Sequence, residues 1–489
     1  TAKNTAQLVM ELPEGITITT TTQQTVQSEK IKLGGRDYTR FTMPLILWDN
    51  RPQTPMFFFK AEKTPAPGAQ AVFYALCDGE VPLKQTVPVE LIVIPEVTPA
   101  LKRLHVSLTW MSESDCLAWP DFFTAWRTLG FNAVAFFPHF KGAPKLLIDS
   151  REKGFKIVMC DSPMHRMAEQ PGGNVPGCEL YSQVPAGNST NVCPSYRGVY
   201  YTKELARVAA MVTKTHPDFV FWDIEIWYDG AMDARAGTCR RCVAGQVASG
   251  KPMEAYLIDQ ATQSLKDLYD AVATSSVGFT MPVVACYDYH PYRNFHNSVA
   301  DFNQIYPRYI NQAQPSLYVA GNAQAVHDSI RGNYRLMKDK QIVPWLSTGT
   351  YGEIDPRKAE HQVLETLLNG ASGLTYFWYG DFDTPLEFYY HAKALAEIAP
   401  YEDLIMDGEV LEPTGTNDKL YYSGIRKGNE MLLLVGNYQK DPASTVYTAP
   451  FTTVTQIKDL RSGKTVPAVN PIKLDLPKDE IQLLYITGK

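Results

Sequence analysis

The chain has 489 residues, of which 45% are apolar and 20% charged, and its formal net charge is −6. These totals exclude a disordered chain and give no basic field for a nucleic-acid partner. No apolar run reaches the ~18 residues that a membrane-spanning helix needs, and the length calls for two or three domains.

Residues 1–100 carry no helical periodicity. Stretches such as GITITTTTQQTVQ, AVFYALCDG and VPVELIVIPE are rich in Thr, Val and Ile between Pro and Gly breaks. They predict an N-terminal all-β domain, with residues 98–103 as linker. From 101 to 405 the rhythm becomes a short apolar run followed by an amphipathic helix. Strands are expected within 104–111, 132–140, 155–163, 218–228, 281–291, 316–323, 341–353 and 372–383. Helical patterns follow them, such as TKELARVAAMVTKTH and RKAEHQVLETLLNG. Eight strand–helix units in about 300 residues predict a (β/α)8 TIM barrel of the α/β class. No Gly-rich phosphate loop is present, which disfavours a doubly wound sheet. Residues 406–489 alternate again and predict a C-terminal β-sandwich.

The stretch FVFWDIEIWYDG on the fourth strand carries Asp223 and Glu225 two residues apart. A period of two sends Phe221, Asp223 and Glu225 to one face. Two buried like charges are costly unless they meet a solvated mouth. In a barrel that mouth lies at the C-terminal strand ends. Other polar and aromatic candidates fall there: His139, Asp161, His165, Asp288, His290, Asn322, Trp345, Glu353, Trp378, Asp381 and Asp383. Trp110 and Trp227 add stacking surfaces. Arg166, Arg235 and Arg293 are candidates for an anionic sugar. Paired carboxylates with many aromatics and no cofactor motif point to glycoside hydrolysis, with a carbohydrate substrate and neither cofactor nor catalytic metal. The rival is a non-catalytic sugar-binding protein on a degenerate barrel.

Eight cysteines are present. Cys77, Cys160 and Cys286 lie in apolar runs, whereas Cys178, Cys193, Cys239 and Cys242 lie in the loops after strands three and four. These four are expected to meet above the barrel and brace the loops, by disulfides in preference to zinc. Asn188-Ser189-Thr190 is a glycosylation sequon. The sequence starts at Thr1, from which a removed signal peptide or tag and a secreted, periplasmic or cell-surface location are expected.

The layout from about 104 to 405 resembles the (β/α)8 glycoside hydrolases. In the large retaining clan of such barrels an acid/base Glu ends the fourth strand and a nucleophile Glu ends the seventh. The resemblance thus implies Glu225 as acid/base, Glu353 as nucleophile and Trp378 as a sugar-lining aromatic, although Ile224 stands where that clan has Asn. DFVFWDIE also resembles the chitinase motif at Asp218, Asp223 and Glu225, with Phe221 in place of its middle Asp. That reading implies Glu225 as acid and Asp223 as assistant to a substrate acetamide. A third resemblance, to α-glucosidase-like barrels, implies Asp223 as nucleophile and requires an acid near the sixth strand.

Overall fold

The barrel strands follow one another in register. The structure, a computed structural model, describes residues 6–20, 26–48, 51–53, 57–109, 111, 113–137, 144–169, 172–173, 178–183, 192–223, 231–287, 302–318, 322–350, 352–382 and 384–489. The strands are β1 (His105–Leu108), β2 (Ala133–Phe136), β3 (Lys156–Asp161), β4 (Phe219–Trp222), β5 (Val283–Tyr287), β6 (Gln312–Gln314), β7 (Trp345–Leu346) and β8 (Gly373–Tyr376). Strands β2 to β6 form one parallel run, and β7 pairs with β8, which pairs with β1. Two seams close the ring. Val343 N–H donates to Ala313 O and Leu317 N–H to Trp345 O, both at 2.9 Å, joining β6 to β7. Asn132 N–H donates to Val106 O at 3.1 Å while its own side-chain oxygen accepts from Val106 N–H at 3.0 Å, joining β2 to β1. The expected (β/α)8 barrel is therefore present.

The sixth strand differs in position from the sequence reading. It runs through Gln312–Gln314, ahead of the apolar stretch chosen for it. The two glutamines are buried, and Gln314 Nε2 donates to Gln312 Oε1 at 2.9 Å. Polar side chains that satisfy one another can occupy a barrel interior, where a hydropathy pattern does not look for them.

Helices cover the barrel. Those used below are α1 (Val199–Thr215), α2 (Arg240–Ser249), α3 (Ala323–Met337), α4 (Arg357–Leu368) and α5 (Pro385–Ile398). In α1 the buried residues Tyr201, Glu204, Val208, Met211 and Val212 recur at three, four and seven positions, the inner stripe of an amphipathic helix. Helix α5 starts at a capping box, with Thr384 Oγ1 accepting from Leu386 N–H at 3.3 Å and Glu387 from Thr384 N–H at 3.2 Å.

The chain divides into two units. The first comprises residues 1–93 with 111–126. Its antiparallel sheet orders Gln27–Leu33, Arg36–Pro44, Ala6–Pro13, Gln70–Cys77 and Glu80–Pro88 around Met10, Leu12, Phe41 and Met43. The second unit holds the barrel and a C-terminal sandwich. There a six-stranded antiparallel sheet and the ribbon of Ala443–Tyr447 with Ile472–Leu476 share one apolar core.

Candidate active site

Register decides which side chains enter the barrel. In a parallel pair, residues side by side point the same way. Phe219 packs on His105 at 4.3 Å between ring centroids and Phe221 on Trp345 at 4.7 Å. These contacts reach across the barrel, so the odd-numbered residues of β4 face inward. Asp223, next in that series, therefore turns inward at the C-terminal end of β4. Its side chain is buried, at 5% exposure, and Oδ2 accepts from Ser162 Oγ at 3.1 Å. Its backbone N–H donates to Asp161 O at 2.8 Å, which fixes the strand end.

Below Asp223 the interior is aromatic and amide-lined. Trp345 Nε1 donates to Gln314 Oε1 at 2.8 Å, and Phe377 lies 6.5 Å from Trp345 and stacks on Tyr318 at 4.9 Å. Lower down, a ring nitrogen of His105 bonds Ser107, whose hydroxyl donates to Thr375, each at 2.9 Å. Ser162, Gln314, Tyr318 and Phe377 were not among the sequence candidates. The register places Ser162: it continues the inward series of Val158 and Cys160, whose partners on β4 are Phe219 and Phe221.

Asp161 faces the other way. Its register partner is Trp222, an outward residue of β4. Its carboxylate meets Arg207 of α1 at 2.5 Å, and Arg207 also holds Glu204 at 2.6 Å. Burial lifts the Asp161 carboxyl above its ordinary value, with Arg207 opposing. Through Arg207 this aspartate ties a helix to the barrel. Trp345 is 1% exposed and offers no free face to a sugar ring. Asn322 caps α3, its side-chain oxygen accepting from Ala325 N–H at 2.8 Å. Arg166 is paired with Glu169 at 2.8 Å.

Two further candidates are exposed. Glu353 is exposed in the segment between β7 and α4. Trp378 is 42% exposed just past β8, with Tyr379 edge-on to it at 5.9 Å. Trp110, His139, Glu225, Trp227, Asp288, His290, Arg293 and Asp383 lie outside the described residues, as do the side chains of His165 and Asp381.

The loop cysteines come together only in part. Cys193, Cys239 and Cys242 are buried with their sulfurs within 4.8 Å of one another, whereas Cys178 is half-exposed and outside that group. All eight cysteines are free thiols, which corrects the expected disulfides. Hydrogen bonds from Cys193 and then Cys242 pull the Cys239 thiol far below its usual range, while Cys242 is pushed up, first by its contact with Cys193. Three thiols in contact cannot share negative charge without a compensating cation.

No family model matches the chain, and no curated protein matches it. Solved structures do. One is a family 27 β-L-arabinopyranosidase from Geobacillus stearothermophilus in complex with arabinose, 10% identical over 79% of this chain and 97% of that one, with a TM-score of 0.52. Another is the galactosidase domain of an α-galactosidase–sucrose kinase, 9% identical over 98% of this chain and 67% of that one, at 0.52. A third is an Anoxybacillus α-amylase, 9% identical over 76% and 89%, at 0.51. The likeness is one of fold alone.

Proposed function

We propose that the chain is a glycoside hydrolase that cleaves a carbohydrate at the C-terminal mouth of its barrel by a two-carboxylate mechanism. The observation that carries this reading is Asp223, a buried carboxylate turned inward at the end of β4 and held by Ser162. Burying a carboxylate is costly, and a strand end at the C-terminal mouth of a barrel is where a reaction centre accepts that cost. The fold neighbours, an arabinopyranosidase, a galactosidase domain and an amylase, are in keeping with it.

In the leading reading Glu225, two residues on and of the same parity, protonates the leaving oxygen. Glu353 attacks the anomeric carbon, and Asp223 orients Glu225 or a substrate hydroxyl. Attack by a carboxylate and release by water give retention. A second reading makes Asp223 the nucleophile. Its support is the contrast in placement: Asp223 is buried in the barrel, and Glu353 is exposed.

Aryl glycosides test both readings, with α-galactosides, β-L-arabinopyranosides and α-glucans at the head of the panel. Removal of the nucleophile should lower turnover by at least ~10²–10⁴-fold, and azide should restore it with inverted product. Rescue of Glu353→Ala supports the first reading, and rescue of Asp223→Ala the second. A chain that binds glycans yet turns over none of the panel would make it a lectin.

A further inference from the structure

The three-thiol cluster belongs to neither reading of the reaction, and it has the makings of a site. Its ligands come from two chain segments. Cys193 sits in the segment after β3, where Tyr181 and Val192 form an antiparallel bridge and Cys193 N–H donates to Leu180 O at 2.9 Å. Cys239 is the N-cap of α2 and Cys242 lies in its first turn. All three are at most 1% exposed.

The sulfur spacing discriminates between fates. Cys193 Sγ lies 3.8 Å from Cys239 Sγ and 3.6 Å from Cys242 Sγ. A disulfide requires about 2.05 Å. Thiolates on a tetrahedral zinc at about 2.3 Å stand about 3.8 Å apart along each edge. Number matters too, since a disulfide consumes two sulfurs and strands the third, whereas a metal uses all three. The surroundings supply donors to sulfur. Gln183 N–H donates to Cys239 Sγ and Ser195 Oγ to Cys242 Sγ, both at 3.3 Å, and Tyr256 OH in turn donates to Ser195 Oγ at 2.9 Å. Such outer contacts orient and stabilise metal-bound thiolates. Arg241, 5.1 Å from the Tyr196 ring, adds positive charge beside the cluster.

We propose that Cys193, Cys239 and Cys242 hold a structural Zn²⁺ that staples the segment after β3 to helix α2 in the segment after β4. The fourth corner of the tetrahedron is left to a ligand outside this trio. The ion takes no part in the hydrolysis, so the site stands or falls independently of the proposed function.

Metal analysis of the full chain as purified tests it. Roughly one zinc per chain is expected. A mercurial titrant should release it stoichiometrically to a chromogenic chelator, and Co²⁺ exchanged into the site should give a thiolate-to-metal charge-transfer band. Cys193→Ser, Cys239→Ser and Cys242→Ser should each lose the metal, while Cys77→Ser keeps it. Because these variants could fail to fold, the wild-type measurements decide. A wild-type chain with no zinc as purified, none after incubation with Zn²⁺ and no charge-transfer band with Co²⁺ would overturn the proposal. So would thiol titration showing two of the three joined in a disulfide.

Discussion

Two aspartates at neighbouring strand ends show how one residue of register separates structure from chemistry. Asp161 and Asp223 are both buried, yet Asp161 shares its face with Trp222 and Asp223 the face of Phe221. The inward face of β4 was legible because a period of two follows from strand geometry alone. The outward turn of Asp161 was not, since it depends on which residue of β3 lies beside which residue of β4. If Asp161 serves α1, Arg207→Ala should destabilise the protein by about 3 kcal/mol, because it leaves a carboxylate unpaired in the interior. Turnover per folded molecule should stay within about twofold, since the helix-to-barrel pair and substrate contact are separate terms. Urea unfolding and kcat/KM measured side by side check both parts. A large rise in KM at unchanged stability would return Asp161 to the substrate.

At the scale of elements, α4 was predicted as a helix and its surroundings were not. Every residue from Ala359 to Leu368 is buried, including Glu360, His361, Gln362 and Glu365, which a single-sided pattern assigns to solvent. The C-terminal sheet covers that polar face. Glu365 accepts from Ser423 Oγ and Tyr438 OH at 2.6 Å and from Asn369 Nδ2 at 2.9 Å. Glu360 accepts from Arg461 Nε at 2.7 Å and Lys393 Nζ at 2.8 Å. Burial pushes the Glu360 carboxyl up, but Arg461 and Lys393 outweigh it and leave the group below its ordinary value. Polar partners on elements distant in sequence make this interface, so a local pattern carries no trace of it. Glu360→Ala should cost about 3 kcal/mol by stranding two partly buried cations. Glu360→Ala combined with Arg461→Met should cost less than the sum of the single changes, and a double-mutant cycle with no coupling would deny the contact its role.

Across the whole molecule, three buried histidines and one glutamate among the described residues contribute to the response to acid. His105 in the barrel, His361 on α4 and His391 on α5 are all buried, and desolvation lowers them to about 3, about 4 and about 3 from an ordinary 6.5. Each ring stays neutral in the folded chain while the unfolded chain takes up a proton below 6.5. The stability they contribute is therefore complete above about pH 6.5 and is lost as pH falls toward their folded values. Glu397 acts in the opposite sense. Burial, and then Glu360, raise it from 4.5 to about 7. It binds its proton more tightly when folded, so its contribution is present below 4.5 and fades as pH rises to 7. Between pH 4.5 and 6.5, of these four groups three pull one way and one the other. The net of about two protons makes these groups weaken the fold by roughly 3 kcal/mol per pH unit of acidification. Tm should accordingly fall steeply from pH 6.5 to 4.5. His361→Gln should make that fall shallower by about one proton's worth, and Glu397→Gln should make it steeper by the same amount. If both variants keep the wild-type slope, neither group titrates between folded and unfolded states in this window, and the acid response comes from other carboxylates.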